Sequence, residues 1–456
     1  MNSFFFSSHK VFGAVIALVS TIQLTAADWP QFLGPDRNTI SPETGLLDEW
    51  PEEGLPAKWK QTVGTGYSAP SIRDGRLVLH HRVDDRELVT CLNPIDGSKI
   101  WETGYPSSFV DPYGYNNGPR CSPILTEKYC YTFGAEGVLL CLDITDGSKI
   151  WEVKTQEKWN VPSAFFGVGS TPLLPLLHGD RLFVMVGGQP NSGMVAFDAR
   201  TGSVLWESVG KDNWEGQPMI GWPGNRSYEW KGYEKIASYS SPVLAEIHGQ
   251  EVLIALMRQG IVGIDPASGK IHFSYWFRAR VQESVNAINP VVHENRILIS
   301  SSYYRQGSVL LEINPDLEVE REVWRGLSLQ IHFTTPVLHQ GYIYAFSGRN
   351  PPDASFRCVE WETGDVQWER DESFRSFRGD SSRLGRGSAI LADGKLIALG
   401  ETGVLALVEA NPEKLNEISR FKVPDINMPA WTAPVLSKGL LYLRDEDTLL
   451  CLDLND

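Results

Sequence analysis

The sequence predicts an all-β fold: an eight-bladed β-propeller of four-stranded antiparallel blades, closed by N- and C-terminal strands that share one blade. Three observations carry the prediction. A glycine-turn hairpin ending on tryptophan recurs along the chain, a Ser/Thr–Pro strand start recurs at blade-length spacing, and the two ends of the array are complementary fragments of one unit.

The hairpin is clearest at Leu140–Glu152, where an apolar run ends in Asp143, a turn follows at Asp146-Gly147, and a second run ends on Trp151. Residues 90–102 nearly duplicate it. Weaker copies stand at Val195–Glu207 and Cys358–Glu369, and Val262–Ser274 carries Phe273 in the tryptophan slot. Alternating β-favouring residues around an Asp/Asn-x-x-x-Gly turn make a two-stranded hairpin, with glycine at the positive-φ position. A lone hairpin cannot bury its apolar face, so one tryptophan per unit, at Trp59, Trp101, Trp151, Trp206, Trp324 and Trp368, is expected to dock between neighbouring blades.

The strand starts fall at Ser68-Ala69-Pro70, Cys121-Ser122-Pro123, Ser170-Thr171-Pro172, Ser240-Ser241-Pro242, Ile288-Asn289-Pro290, Thr334-Thr335-Pro336, Gly387-Ser388-Ala389 and Thr432-Ala433-Pro434. Their third positions are 53, 49, 70, 48, 46, 53 and 45 residues apart, the length of a four-stranded blade. The last start has room for three strands, ending at Leu449–Asp453. The strand around Trp59 has no partners before it, so the two fragments complete one blade and leave no open edge.

Ahead of the array, His9 and Lys10 precede an apolar stretch, Val11–Leu24, and small residues at Thr25-Ala26-Ala27. Residues 1–27 read as a secretory signal peptide, since the stretch is short for a membrane span. Residues 28–56, rich in aromatics, proline and glycine, are expected to lie as an extended arm over the propeller, which occupies 57–456. No Cys near the cleavage site offers a lipid anchor, so the mature chain is expected to be periplasmic or secreted, with no integral membrane segment, and a monomer. A net charge of −15 argues against nucleic acid and anionic membrane as partners.

The motif Asp-x-x-Thr/Asp-Gly-Ser/Lys-x-x-Trp, as in Asp143–Trp151 and Asp198–Trp206, resembles the repeat of the pyrroloquinoline-quinone (PQQ)-type β-propellers, over roughly Ala57–Asp456. The opening Asp28–Pro35 resembles exported members of that family from Planctomycetes. The family includes quinoprotein dehydrogenases and the non-catalytic assembly lipoprotein BamB, so two functions are implied. One is a non-enzymatic module binding an envelope protein, peptide or glycan, with no cofactor. The other is a PQQ- and calcium-dependent dehydrogenase of alcohols, polyvinyl alcohol or sugars.

The resemblance implies that an alcohol-oxidising member would carry a roof of two adjacent cysteines, a Glu and an Asn on calcium, and an Asp base. Cys91, Cys121, Cys130, Cys141, Cys358 and Cys451 are all separated, and the strand starts offer Tyr67, Arg120, Gly169, Tyr239, Asn289, His332, Arg386 and Trp431, of which only Asn289 resembles a calcium ligand. Glu283 and Asp380 stand in preceding connections. The histidines show no zinc spacing, and no catalytic or metal-ligating residue is assigned.

The loop face is the expected binding surface, built from Trp206–Ser240 with Trp222, Gly348–Asp353, and the basic Phe374–Arg386 segment. Its candidate ligand-binding residues are Arg120, Trp222, Asn289, His332, Arg383 and Trp431. The arginines form either an anion pocket for a carboxylate- or sulfate-bearing ligand or surface pairs with Asp371, Glu372 and Asp380. Four of the cysteines occupy equivalent third-strand places as buried thiols. Cys130 and Cys141 lie equidistant from the turn Gly134–Gly137, a register in which they would face each other, as a disulfide or as two free thiols.

Overall fold

In the computed structural model the described residues are Met1, 27–111, 113–159, 161, 176–214, 217–220, 227–229, 236–279, 284–374 and 382–455. Eight four-stranded antiparallel sheets form the ring, and a small hairpin pairs Pro218–Ile220 with Ser227–Glu229. Each blade runs its four strands in chain order, as in blade 1 (Ser71–Arg73, Arg76–Val83, Arg86–Leu92, Lys99–Pro106). Blade 8 is the exception. Its first three strands, Val435–Ser437, Leu440–Arg444 and Thr448–Asp453, come from the C-terminal end, and its outer strand is Ala57–Thr62, which places Trp59 opposite Cys451. The predicted closure is therefore present.

The recurring tryptophan acts as a latch. The indole Nε1–H of each donates to a carbonyl in the hairpin turn of the next blade: Trp59 to Pro94 O (2.8 Å), Trp101 to Ile144 O (3.0 Å) and Trp151 to Ala199 O (3.0 Å). Trp206 reaches Pro266 O (3.1 Å), Trp324 reaches Trp361 O (2.8 Å) and Trp368 reaches Asn411 O (2.8 Å). For all but Trp368, whose receiving turn has no glycine, the ring lies on the glycine of that same turn. A Cβ on Gly147 would come within 2.5 Å of Trp101, so the glycine answers two demands, a φ of +74° and room for the neighbour's indole. Trp59, Trp101, Trp151 and Trp206 are buried, whereas Trp324 and Trp368 are half-buried and keep the latch bond.

In five blades the latch residue faces a small third-strand residue, Ala196 opposite Trp206 and a cysteine in four others, while Leu310 stands opposite Trp324. Cys91 pairs with Trp101, Cys141 with Trp151, Cys358 with Trp368 and Cys451 with Trp59, which is why a small apolar thiol recurs there. All six cysteines are free and buried. The facing register expected for Cys130 and Cys141 does not occur: Tyr131 opposes Cys141, and Cys130 opposes Leu142. In the turn itself the Gly134 N–H donates to Val138 O, and Phe133 pairs with Leu139. That offsets the ladder by one residue from the symmetric count, and a one-residue slip turns a side chain to the other face of the sheet. Burial raises both thiol pKa values, Cys141 to about 12.

Two slots lack a tryptophan. Blade 4 has Phe273, and in blade 7 Ser419 stands opposite Leu407. There the arm supplies the missing ring. The Trp50 backbone N–H donates to Ser419 Oγ (2.8 Å), the Trp50 indole meets Phe421 edge-on at 5.8 Å, and its neighbours Leu407 and Leu454 come from blades 7 and 8.

The arm is not the extended strap expected. Residues 31–39 turn repeatedly, with Leu33, Arg37 and Thr39 at positive φ. It pairs with blade 1 at Trp29–Ile72, receives Leu125 N–H of blade 2 on Pro30 O, and sends the Arg37 guanidinium to Pro242 O of blade 4. It then reaches blade 7 at Ile40–Leu391 and blade 8 at Leu47–Leu454. The chain thus passes across the ring, and Trp29, Leu33 and Trp50 are buried there. Among the described residues, no helix is long and apolar enough to cross a membrane.

Candidate functional site: the axial cavity

The first strands converge on a central cavity of about 200 Å³. An apolar cavity of ~150 Å³ accepts benzene, so this one has room for a single substituted six-membered ring. Seven of the eight strand-start residues line it: Tyr67, Arg120, Tyr239, Asn289, His332, Arg386 and Trp431. The eighth, Gly169, lies outside the described residues. Phe32, Leu33 and Thr39 of the arm line it as well, so the arm forms part of its wall.

Trp431 is the centre of an aromatic cluster. Its ring centroid lies 5.3 Å from that of Tyr67, 5.6 Å from Tyr115 and 5.8 Å from Phe333, all tilted or edge-on. Two guanidinium groups sit over these rings, Arg386 at 5.1 Å from Trp431 and Arg120 at 5.4 Å from Tyr67.

Both guanidinium groups are held by internal acids. Arg120 Nη2 donates to Asp111 Oδ2 at 2.9 Å, with both side chains buried. Burial pulls the Arg120 pKa below its ordinary value, and Asp111 opposes that shift. Arg386 Nε donates to Glu401 Oε1 at 3.0 Å, and the indole N–H of Trp431 donates to Glu401 Oε2 at 2.9 Å. Glu401 is fully buried, and it fixes the arginine and the indole together.

His332 completes that side. Its Nδ1 lies 3.4 Å from Arg386 Nη1 and its Nε2 lies 3.3 Å from Tyr303 Oη. With Nδ1 accepting from a guanidinium, the ring proton belongs on Nε2. Burial, with Arg386 and Arg349 nearby, lowers the His332 pKa to about 3, so the ring is neutral at physiological pH. Arg349 stacks on Tyr303 at 4.4 Å and Tyr304 at 5.1 Å. Tyr67 Oη donates to Glu446 Oε1 at 2.7 Å, which raises the Tyr67 pKa after the larger effect of burial.

Asn289 differs from all of these. Its Oδ1 accepts the Ser241 N–H at 2.8 Å, which fixes the amide, while Nδ2 is buried at the cavity wall without an acceptor among the described residues. A buried donor left unpaired is costly and marks a place where a ligand oxygen could bind.

Of the sequence candidates, the structure brings together Arg120, Asn289, His332 and Trp431. Arg383 stands apart from the cavity lining and donates to the Asp371 carbonyl. Trp222, Glu283, Asp380 and the centre of the basic segment lie outside the described residues. Glu372 pairs with Arg370 and Arg420, not with the basic segment's Arg386. Asp111, Tyr115 and Phe333 escaped the sequence reading. The connection that carries Asp111 and Tyr115, 107–119, is aromatic and glycine-rich like the long loop at 206–240.

A PQQ-like β-propeller with an aromatic, arginine-bearing axial cavity is the class that fold and site define. The chain belongs to the family described as outer membrane protein assembly factor BamB, whose model matches residues 85–370. Among solved structures it is similar to BamB from Moraxella catarrhalis, with 13% identity over 88% of this chain and 97% of that one and a TM-score of 0.56. It is also similar to the quinohemoprotein alcohol dehydrogenase ADHIIG from Pseudomonas putida HK5, with 13% identity over 94% and 80% of the two chains and a TM-score of 0.52. The corresponding enzyme from Comamonas testosteroni gives 12% identity, 94% and 80% coverage, and a TM-score of 0.51. At such identities the likeness is one of fold. No curated protein matches the sequence.

Proposed function

We propose that the chain is a non-enzymatic binding module of the cell envelope that takes part of a glycan or protein partner into its axial cavity. The observation that carries this reading is the state of the cavity's charges. Asp111 and Glu401 are committed to Arg120 and Arg386, so neither is poised as a general base. What the wall offers a ligand is aromatic surface and hydrogen-bond donors, the makeup of a recognition site.

The alternative, a quinoprotein dehydrogenase, asks for a calcium ion beside PQQ. The donor set fits that ion poorly. The Asn289 carbonyl oxygen already accepts the Ser241 N–H, its Nδ2 is a donor that cannot ligate a cation, and the lining acid Asp111 is paired with Arg120. Among the described residues, no group of three or more His, Cys, Asp or Glu side chains could hold a metal. The BamB likeness supports an envelope partner, and the apolar stretch at Val11–Leu24 supports export.

The test is titration of purified protein with PQQ and calcium, followed by absorbance and dye-coupled alcohol oxidation. Binding modules give neither a quinone band nor turnover. Micromolar, calcium-dependent PQQ binding with turnover would make the protein a dehydrogenase.

A further inference from the structure

We propose that the axial cavity takes one uncharged aromatic side chain, phenylalanine or tyrosine, from a partner protein docked on the face where the cavity opens. This inference rests on the binding-module reading above and chooses the protein partner over the glycan. Charge disfavours an ionic ligand. The charged side chains of the wall are paired in place, Asp111 with Arg120 and Arg386 with Glu401, and His332 is neutral. An ion entering here sheds its water and gains no counter-charge, so a neutral group is favoured.

The space admits one ring, and the walls suit an aromatic one. The cavity holds about 200 Å³, against ~150 Å³ for one that accepts benzene. Tyr115 and Phe333 already meet Trp431 edge-on or tilted at 5.6 and 5.8 Å, and a further ring among them extends the same packing. The wall's hydroxyls are one-sided. Thr334, Thr335 and Ser388 lie at the starts of the adjacent blades 6 and 7, and Thr39 Oγ1 donates to Asn38 O. That serves one phenolic oxygen or peptide group, whereas a sugar ring would press its other hydroxyls against Trp431 and Phe333.

The surroundings of the opening indicate a protein. Tyr115 lines the cavity and is 51% exposed, which places the opening on its side. The connections that bring Tyr115, Phe333 and Trp431 to the cavity each carry a further exposed apolar side chain: Val110 and Tyr113 on 107–119, Leu327 ahead of Phe333, and Met428 ahead of Trp431. All three run from the outer strand of one blade to the first strand of the next, so they share one face of the ring. Ile100, Ile150, Leu205 and Val366, by contrast, stand singly on the outer strands of separate blades, which is ordinary for a surface. Apolar side chains gathered round an aromatic pocket are the pattern of a protein contact, an anchor ringed by groups that exclude water. A free ring or a sugar filling the cavity would leave Val110, Leu327 and Met428 in water. The rim is also preorganised. Asp111 Oδ1 accepts the N–H of Tyr113 (2.9 Å) and of Tyr115 (3.3 Å), and Arg82 Nη1 donates to Phe109 O at 2.6 Å and Asn117 O at 3.2 Å. Asn427 N–H donates to Asp445 Oδ2 at 2.7 Å, beside Met428 in the chain. Little order remains to be imposed when a partner docks.

The experiment is calorimetric titration of the full chain with the N-acetyl amides of phenylalanine, tyrosine, leucine and lysine, with methyl β-glucoside, and with two capped pentapeptides, Ser-Ser-Phe-Ser-Ser and Ser-Leu-Phe-Leu-Ser. The aromatic amides are expected to bind about threefold to tenfold more tightly than the leucine amide, the range for an added aromatic pair. They exceed the lysine amide by at least about tenfold. The leucine-flanked peptide gains about tenfold or more over the serine-flanked one by covering the rim. Val110→Ser combined with Tyr113→Ser, both at exposed positions, brings the two peptides to equal affinity. Phe333→Ala, or Tyr115→Ser at an exposed position that spares the fold, weakens the phenylalanine amide about threefold or more. Absence of binding by either aromatic amide, equal binding of the leucine or lysine amide, no gain from leucine flanks, or a gain that survives the double variant overturns the proposal. Glucoside binding with no aromatic amide bound overturns it but spares the module reading. PQQ and calcium binding with turnover overturns both.

Discussion

Replacing Trp50 by alanine tests the idea that the arm repairs a missing latch. Trp50 is 4% exposed, between blades 7 and 8, where Ser419 occupies the slot that holds tryptophan in other blades. A tryptophan of up to ~250 Å² buried to this extent removes about 240 Å² from water, worth about 6 kcal/mol as an upper bound at ~25 cal/mol per Å². Measured large-to-small core changes of this kind cost about 3–5 kcal/mol. The backbone bond from Trp50 N–H to Ser419 Oγ survives the substitution, so the loss isolates the ring. With an unfolding entropy of ~2.1 cal/mol/K per residue over about 400 residues, the melting temperature should fall by roughly 4–6 °C. Differential scanning calorimetry measures it, with Trp368→Ala, which opens the preceding interface, as the matched control. A shift under about 1 °C in Trp50→Ala alongside a full shift in Trp368→Ala would refute the repair.

Trp101→Phe keeps most of the packing but leaves the Ile144 carbonyl without its indole donor, and chemical denaturation should report a loss of about 1–3 kcal/mol. Deleting residues 28–63 removes the outer strand of blade 8 together with Trp50 and Trp59, and circular dichroism should show no cooperative melt. His332 takes up its proton more readily in the unfolded chain than in the fold, where its pKa is about 3, so its contribution is lost as pH falls below about 6.5. Urea denaturation should therefore find His332→Gln gaining about 2 kcal/mol relative to wild type between pH 7 and pH 5.

The ring was legible because its physics is periodic. Each glycine turn and each latch tryptophan repeats the same demand at a fixed interval, so Trp59 and Leu449–Asp453 could be assigned to one blade before any coordinates. The strand starts were legible for the same reason, and they delivered Arg120, Asn289, His332 and Trp431 to the cavity. What decides the site's chemistry is not periodic. Asp111 and Glu401 come from connections of different blades, each beside its own arginine, nine and fifteen residues away, but these irregular connections follow no repeat that would single the acids out. Trp50 was invisible as a latch because it lies 369 residues from the serine it serves. The Cys130–Cys141 register failed because the count assumed a symmetric turn, and one residue of offset moved Tyr131 into the facing position.

The arm contributes to two places at once: Phe32, Leu33 and Thr39 at the cavity wall, and Trp50 between blades 7 and 8. Occupancy and closure are therefore linked quantities. A ligand resting on Phe32 and Leu33 holds the segment that also carries Trp50, and at a hundredfold excess over its dissociation constant it adds about 2.7 kcal/mol against unfolding. The bound state is thus readable far from the cavity, as resistance of the arm to proteolysis and of the ring to opening.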